Sequence, residues 1–176
     1  NLGMIIILVM GACSALWAET SDLKTEIMPE DLFFMHIPTV ITAAKKEQKQ
    51  SDTTAATFVI TSEDIRRSGA RTIPDLLRMV PGIQVARMDA NKWAITSRGF
   101  NGRFANKLLV MIDGRSVYTP AFSGVIWEVK DTLLEDIDRI EVVRGPGGTL
   151  WGANAVNGVI NIITKKATET QGSLVT

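Results

Sequence analysis

The stretch from Arg139 to Lys166 restricts the possible folds more than any other part of this chain. It reads as a strand, a glycine-rich turn, a crossing of small residues and a second strand. Ile140, Val142 and Arg144 alternate with Glu141 and Val143, which is the two-residue period of a strand. Val159-Ile-Asn-Ile-Ile-Thr164 is β-branched and nearly all apolar, as expected of a strand covered on both faces. Between them stand Gly145, Gly147, Gly148 and Gly152, with Pro146 fixing one turn. The glycines invite a phosphate-site reading, which fails. A P-loop closes on Gly-Lys-Ser/Thr, so that a Lys and a hydroxyl hold the phosphates and their metal. Here Ala153 and Asn154 follow Gly152. The dinucleotide fingerprint fails as well, because Leu150 stands where its third Gly belongs.

Charge and cysteine content exclude further classes. Nineteen basic residues balance 19 acidic ones, so no net field favours nucleic acid. The single Cys cannot form an internal disulfide, and the single His cannot make a His-rich metal site. Length suits one domain with a core, plus tails.

At the N-terminus, Met4-Ile-Ile-Ile-Leu-Val-Met10 is an apolar run of signal-peptide length, short of the roughly 20 residues of a membrane-spanning helix. Small residues from Gly11 to Ala18 place cleavage after Ala18, so residues 1–18 are expected to be a signal peptide truncated at its start. Cys13 has the setting of a lipoprotein cysteine, and an ordinary Cys in a discarded leader is the alternative. Residues 19–53 are expected to be a flexible N-terminal segment, with Lys45-Lys-Glu-Gln-Lys-Gln-Ser51 as a solvated linker.

The globular part starts near Thr54. Ala56–Thr61 reads as a strand, followed by a helix over 63–68 with Ser62 as N-cap and Gly69 as stop. A second helix carries Pro74 in its first turn and ends at Pro81-Gly82. Short strands are predicted at 83–87, 93–97 and 108–112, the last turned by Asp113-Gly114 into Arg115–Tyr118. Thr132–Asp136 looks helical. The fold class is therefore α/β (α+β), compact, with a small mixed β-sheet and short helices.

Several motifs in order carry a more specific resemblance. They are Phe58-Val-Ile-Thr-Ser-Glu-Asp-Ile-Arg-Arg-Ser-Gly69, Ile73-Pro-Asp-Leu-Leu-Arg-Met-Val-Pro-Gly82, Ser97-Arg-Gly-Phe100, Val110-Met-Ile-Asp-Gly-Arg115, Arg139-Ile-Glu-Val-Val-Arg-Gly-Pro146, Leu150-Trp-Gly152 and Gly158-Val-Ile-Asn-Ile-Ile-Thr164. Together, over about residues 38 to 170, they resemble the plug domain of TonB-dependent outer-membrane receptors. The resemblance implies a plug over 54–167 inside a barrel of about 22 strands. After the plug, Thr168–Thr176 has room for the start of a first barrel strand, given about 9–11 residues per strand, so the barrel is expected to lie outside this chain.

The resemblance also implies roles. Thr39, Val40, Ile41, Thr42 and Ala43, near Pro38, look like a TonB box, an extended segment that lends its backbone to a partner's sheet edge. An edge strand of the domain itself is the other reading of these residues. Phe100, Asn101, Arg103 and Phe104 in one loop, with Tyr118 and Phe122 in another, are ligand-contact candidates at the plug apex. Arg98, Arg139, Glu141 and Arg144 are candidates for contact with the barrel wall, though surface charges could equally be solvated. No catalytic set emerges. Ser97 and Ser123 lack a His base, since His36 lies in the tail, and Asp64, Asp75, Asp113 and Glu135 sit on caps and turns. No cofactor and no metal is expected. The implied partners are TonB, the barrel and a small nutrient ligand (siderophore, cobalamin, haem or similar). The implied location is the outer membrane with a periplasmic N-terminus. A free-standing periplasmic ligand-binding module is the alternative function.

Overall fold

The computed structural model describes residues 38–130 and 132–172. The expected signal peptide, Cys13, His36, residues 19–37 and the end of the expected barrel strand lie outside the described residues.

A five-stranded mixed sheet organises the domain. Its strands are β3 (Ala56–Thr61), β6 (Leu108–Ile112), β7 (Arg115–Ser116), β8 (Ile137–Arg144) and β9 (Gly158–Thr164), in the order β3-β8-β9-β6-β7. The two strands of the Arg139–Lys166 segment are its centre. β9 runs antiparallel to β8 and parallel to β6. Both sheet faces are covered, and the residues alternate between them. Ile140 and Val142 of β8, Ile160 and Ile162 of β9, and Leu108 and Val110 of β6 enter one core. Val143, Val159, Leu109 and Met111 enter a second, smaller one with Ala155. Such two-sided burial is what the continuous apolar runs require, because each buried aliphatic side chain contributes about 1.5–3 kcal/mol that an exposed one forfeits.

Two short helices and a hairpin close the larger core. Helix α1 (Ser62–Ser68) begins one residue earlier than the sequence suggests, with Thr61 rather than Ser62 as its N-cap. The reason is reciprocity. Thr61 Oγ1 accepts the Asp64 N–H (3.2 Å), and Asp64 Oδ2 accepts the Thr61 N–H (3.0 Å), whereas Ser62 has Ile65 three residues on. Gly69 at φ 65° ends the helix. The Thr61 backbone N–H, then its hydroxyl, holds the Asp64 carboxyl below the usual carboxylate range against a smaller opposing effect of burial. A group depressed in the folded state contributes stability above its unfolded pKa and loses it as pH falls through the folded value. Asp64→Asn is therefore expected to lower stability by about 1 kcal/mol near neutrality. Urea melts should show the gap to the parent closing as pH falls below the ordinary aspartate range.

Helix α2 (Ile73–Leu77) is capped by Thr72 and places Ile73, Leu76 and Leu77 in the core. It stops before the predicted end because Met79 and Val80 bond back three residues, tightening the chain ahead of Pro81. Strands β4 (Ile83–Arg87) and β5 (Trp93–Ser97) form the hairpin, and β5 contributes Trp93 and Ile95. Asp113 (φ 49°) and Gly114 (φ 75°) make the two-residue turn after β6. Asp113 also accepts from the Thr164 N–H and hydroxyl, both at 2.9 Å, which pins that turn to the end of β9. The predicted helix at 132–136 is a single 3-10 turn, Leu134–Asp136. The glycine-rich crossing holds one unpredicted helical turn, α3 (Gly148–Trp151).

The N-terminal segment departs from expectation between residues 38 and 53. Instead of a free linker it is a small hairpin, with β1 (Thr39–Val40) antiparallel to β2 (Gln48–Lys49). Gln50 N–H donates to the Pro38 carbonyl (3.1 Å), and Gln50 Nε2 donates to the Thr57 carbonyl (2.9 Å). Lys45, Lys46, Glu47 and Lys49 are exposed, as their polarity requires. Side-chain polarity reports side-chain exposure; it does not report whether the backbone is paired.

Candidate functional site

The box-like residues lie against the second face of the sheet. Val40 and Thr42 are each 1% exposed. The N–H groups of Ile41 and Thr42 both donate to Glu141 Oε2, at 2.9 and 2.7 Å. The Thr42 carbonyl accepts from the Trp151 indole N–H (2.9 Å), and the Thr42 hydroxyl accepts from Asn161 Nδ2 (3.2 Å). Ala43 packs on the smaller core, and the Lys45 ammonium sits 4.5 Å from the Trp151 ring. The strand period aims Glu141 and Asn161 at this segment from neighbouring strands, where they are registered partners.

Glu141, expected among charges facing an outer wall, is thus turned toward the chain's own N-terminal segment. Its other oxygen, Oε1, accepts from Arg139 Nε (2.9 Å), and Arg139 Nη1 also meets Asp138 (2.5 Å). Burial disfavours the Arg139 charge, but the hydrogen bonds and charges of Glu141 and then Asp138 outweigh it and raise the guanidinium pKa. Arg98 is exposed at φ 62°. Arg144 reaches back to the Pro81 carbonyl (3.1 Å), while its Nε is buried without an acceptor.

The two candidate loops meet each other. Phe104 and Phe122 stack with ring centroids 4.9 Å apart and planes 14° apart. Their contact depends on Gly124, where a Cβ would stand 2.8 Å from the Phe104 Cα. Arg103 lies over the Phe104 ring (5.1 Å) and pairs with Glu128 (2.5 Å). Arg98, Gly99 and Phe100 all have positive φ, and the Phe100 ring is 83% exposed with Lys107 5.4 Å from it. Left-handed backbone at two non-glycine residues costs roughly 1 kcal/mol or more each. Asn101 is exposed beside it. Tyr118, by contrast, turns inward. Its hydroxyl donates to the Leu108 carbonyl (2.7 Å), and burial pushes the phenol up to about 12.

Among the described residues no group of three or more His, Cys, Asp or Glu could hold a metal, and no helix is long and apolar enough to cross a membrane. A cleft of about 400 Å³ mixes Arg71, Arg87 and Lys130 with Trp93 and Trp127. Two roles escaped the sequence reading, those of Trp151 and Asn161. Trp151 stood in a motif without an assigned contact. Asn161 had one available signal, as the only polar residue within Val159–Ile163.

Comparison with known proteins follows the same lines. Residues 49–159 match the family model described as TonB-dependent Receptor Plug Domain. The chain is 38% identical over 136 residues to the vitamin B12 transporter BtuB of Vibrio cholerae serotype O1, covering 77% of this chain and 22% of that protein. It is 35% identical over 138 residues to the vitamin B12 transporter BtuB of Vibrio vulnificus, with the same coverage. The chain thus spans about a fifth of the length of these curated relatives. Among solved structures, the ferripyoverdine receptor of the outer membrane of Pseudomonas aeruginosa aligns with a TM-score of 0.59 and 26% identity, over 73% of this chain and 16% of that one.

Proposed function

Because the chain belongs to the TonB-dependent receptor plug family, we propose that it is the gate and force-receiving element of an outer-membrane receptor for a scarce nutrient. Its relatives are named for vitamin B12 and for ferripyoverdine, which supports a small chelate or corrinoid as the ligand class. In this reading the plug sits inside the receptor's own barrel with its N-terminus on the periplasmic side. It performs no bond-making chemistry. Ligand meets the apex formed by Phe100, Asn101, Arg103, Phe104 and Phe122, while Arg98 and Arg144 face the wall. Thr39–Ala43 is the TonB box, and pull on it from the inner membrane remodels the plug.

The observation that supports this most directly is the conformation of residues 39–42. Thr39 and Val40 are extended and already pair edge-to-edge with β2, the mode of contact a β-addition partner would take over, while Ile41 and Thr42 turn away with their N–H groups on Glu141. Proline at position 40 removes a donor and restricts Thr39. A TonB C-terminal domain is therefore expected to bind the Val40→Pro chain at least about tenfold more weakly than the parent by calorimetry, since a lost strand-addition register costs on the order of 1.4 kcal/mol or more. Equal affinity for both chains would remove the box assignment.

A further inference from the structure

The chain holds two Asn-Gly pairs, Asn101-Gly102 and Asn157-Gly158. In such a pair the glycine backbone nitrogen can attack the asparagine side-chain carbon, because glycine has no Cβ to crowd the approach. The attack needs a mobile asparagine side chain, a glycine N–H free to lose its proton and backbone able to bend. The two pairs differ in all three respects. Asn157 Nδ2 donates to the Ser97 carbonyl (2.8 Å) and the Asn157 N–H to the Lys107 carbonyl (2.8 Å), while its own carbonyl accepts from the Gly145 N–H (3.2 Å). Gly158 is buried in β9, in register with Leu108 on one side and Arg144 on the other. Asp113-Gly114 could close the same ring, but both of its carboxylate oxygens accept from Thr164, and the Gly114 N–H donates to Asn161 Oδ1 (3.3 Å). Asn101-Gly102 has none of these restraints. Asn101 is exposed, both residues lie outside helix and strand, and among the described residues nothing bonds the Asn101 side chain or the Gly102 N–H. Nothing lies within 4 Å of where a Gly102 Cβ would stand. Local charge favours the attack as well. Arg98 and Lys107 are exposed without an acidic partner among the described residues, and nearby positive charge stabilises the amide anion that attacks.

We propose that Asn101-Gly102 is a modification site, where the Gly102 nitrogen displaces ammonia from Asn101 and water then leaves a carboxylate at the loop tip. The Gly102 N–H gives its proton to base, and the nitrogen forms a bond to Asn101 Cγ. The Cγ–Nδ2 bond breaks, and the departing amide takes up a proton to leave as ammonia. Water adds to either carbonyl of the resulting cyclic imide. One opening gives aspartate at position 101; the other carries the main chain through the side chain as isoaspartate. The sum is amide plus water to acid plus ammonia, with no oxidant, metal or enzyme. Before reaction, residues 98–107 hold three cations, Arg98, Arg103 and Lys107, and no acid. Afterwards a carboxylate stands next to the exposed Phe100 ring, and 19 basic residues face 20 acidic ones in place of 19. The loop's attraction for anions falls accordingly. The change runs one way, because the ammonia is lost to solvent. It depends on the geometry of this turn and not on the ligand assignment.

The test uses the full 176-residue chain, kept at mildly alkaline pH and sampled over days. Peptide mapping by mass spectrometry that separates Asp from isoaspartate should find both products at position 101. Asn157 should react at least about a hundredfold more slowly, because a strand-bound pair reacts only from opened molecules, a fraction of about one in a thousand or fewer. Gly102→Ala adds a Cβ that meets nothing within 4 Å, so the fold is kept while the nitrogen's approach is crowded. It should slow the reaction about tenfold or more, a factor that needs only a small rise in barrier. Asn101→Gln should abolish the acidic species that ion exchange resolves in the aged parent. In urea the two Asn-Gly pairs should react at similar rates. No acid at position 101 overturns the site, and aspartate without isoaspartate overturns the imide route. Equal rates at 101 and 157 in the folded chain, or a gap that persists in urea, overturn the claim that the fold selects between the pairs.

Discussion

Gly158→Ala is expected to lower the thermal midpoint of the domain by about 10 °C, the largest loss from adding one methyl group anywhere in the sheet. Gly158 opens β9, between Arg144 of β8 and Leu108 of β6. A Cβ there would stand 2.4 Å from the Val143 carbonyl oxygen and 3.2 Å from Leu108 Cδ1. The first neighbour is backbone in a strand paired on both sides, so it cannot turn away as a side-chain tip would. Either β8 and β9 separate at that rung or the bond angles distort. Overpacking of this kind costs about 3 kcal/mol, and in a chain of this size each kcal/mol shifts the midpoint by about 3 °C. Gly148→Ala is the matched control. Nothing lies within 4 Å of its added Cβ, and it sits in the α3 turn, so its midpoint should stay within about 2 °C of the parent. Equal midpoints for the two variants would show that β9 can shift away from β8 at its first residue.

Ile140→Ala should destabilise by about 3–4 kcal/mol, and Val143→Ala by about 1–2 kcal/mol, a larger gap than the one extra carbon explains. The two residues are near neighbours on β8 but face opposite sides of the sheet. Ile140 is 0% exposed in the larger core, closed by α1, α2 and the β4–β5 hairpin. A cavity there is walled by several elements and cannot collapse. Val143 lies in the smaller core, whose cover includes Ala43, Ala55 and Trp151, contributed by chain segments rather than long helices. Such a cover can settle into the space left by two carbons. Urea denaturation of both variants, with unchanged slopes, measures the difference. Equal cost per carbon removed would mean that the N-terminal cover is as rigid as the helical one.

The elements most legible in the sequence were those governed by neighbours a few residues away. Gly69 at positive φ and the Asp113-Gly114 turn each act within a span of four residues, whereas the cap fell on Thr61 instead of Ser62 because Asp64 answers Thr61. The run 159–164 announced a strand covered on both faces and is buried up to Ile162, and the apolar run 108–112 announced a strand and forms one. Errors arose where a local pattern had two outcomes. The run 132–136 was too short to nucleate a full helix and formed one tight turn. The polar stretch 45–51 was exposed at its lysines yet paired in its backbone at Gln48 and Lys49. The aromatic loops were recognisable as loops, but the Phe104–Phe122 stack depends on the close approach at Gly124, and the inward turn of Tyr118 on the Leu108 carbonyl.

The ordered motifs from Phe58 to Thr164 were enough by themselves to determine the fold class and the family resemblance, because period, caps and turns are written in adjacent residues. Only the tertiary structure decided what Glu141 does. Its amide partners lie 100 and 99 residues earlier in the chain, and Trp151 reaches Thr42 across 109. No local period reports a contact at that separation. It follows from the register of β8 on β9, which turns Glu141 and Asn161 to the same face, and from the N-terminal hairpin folding onto that face to cover them.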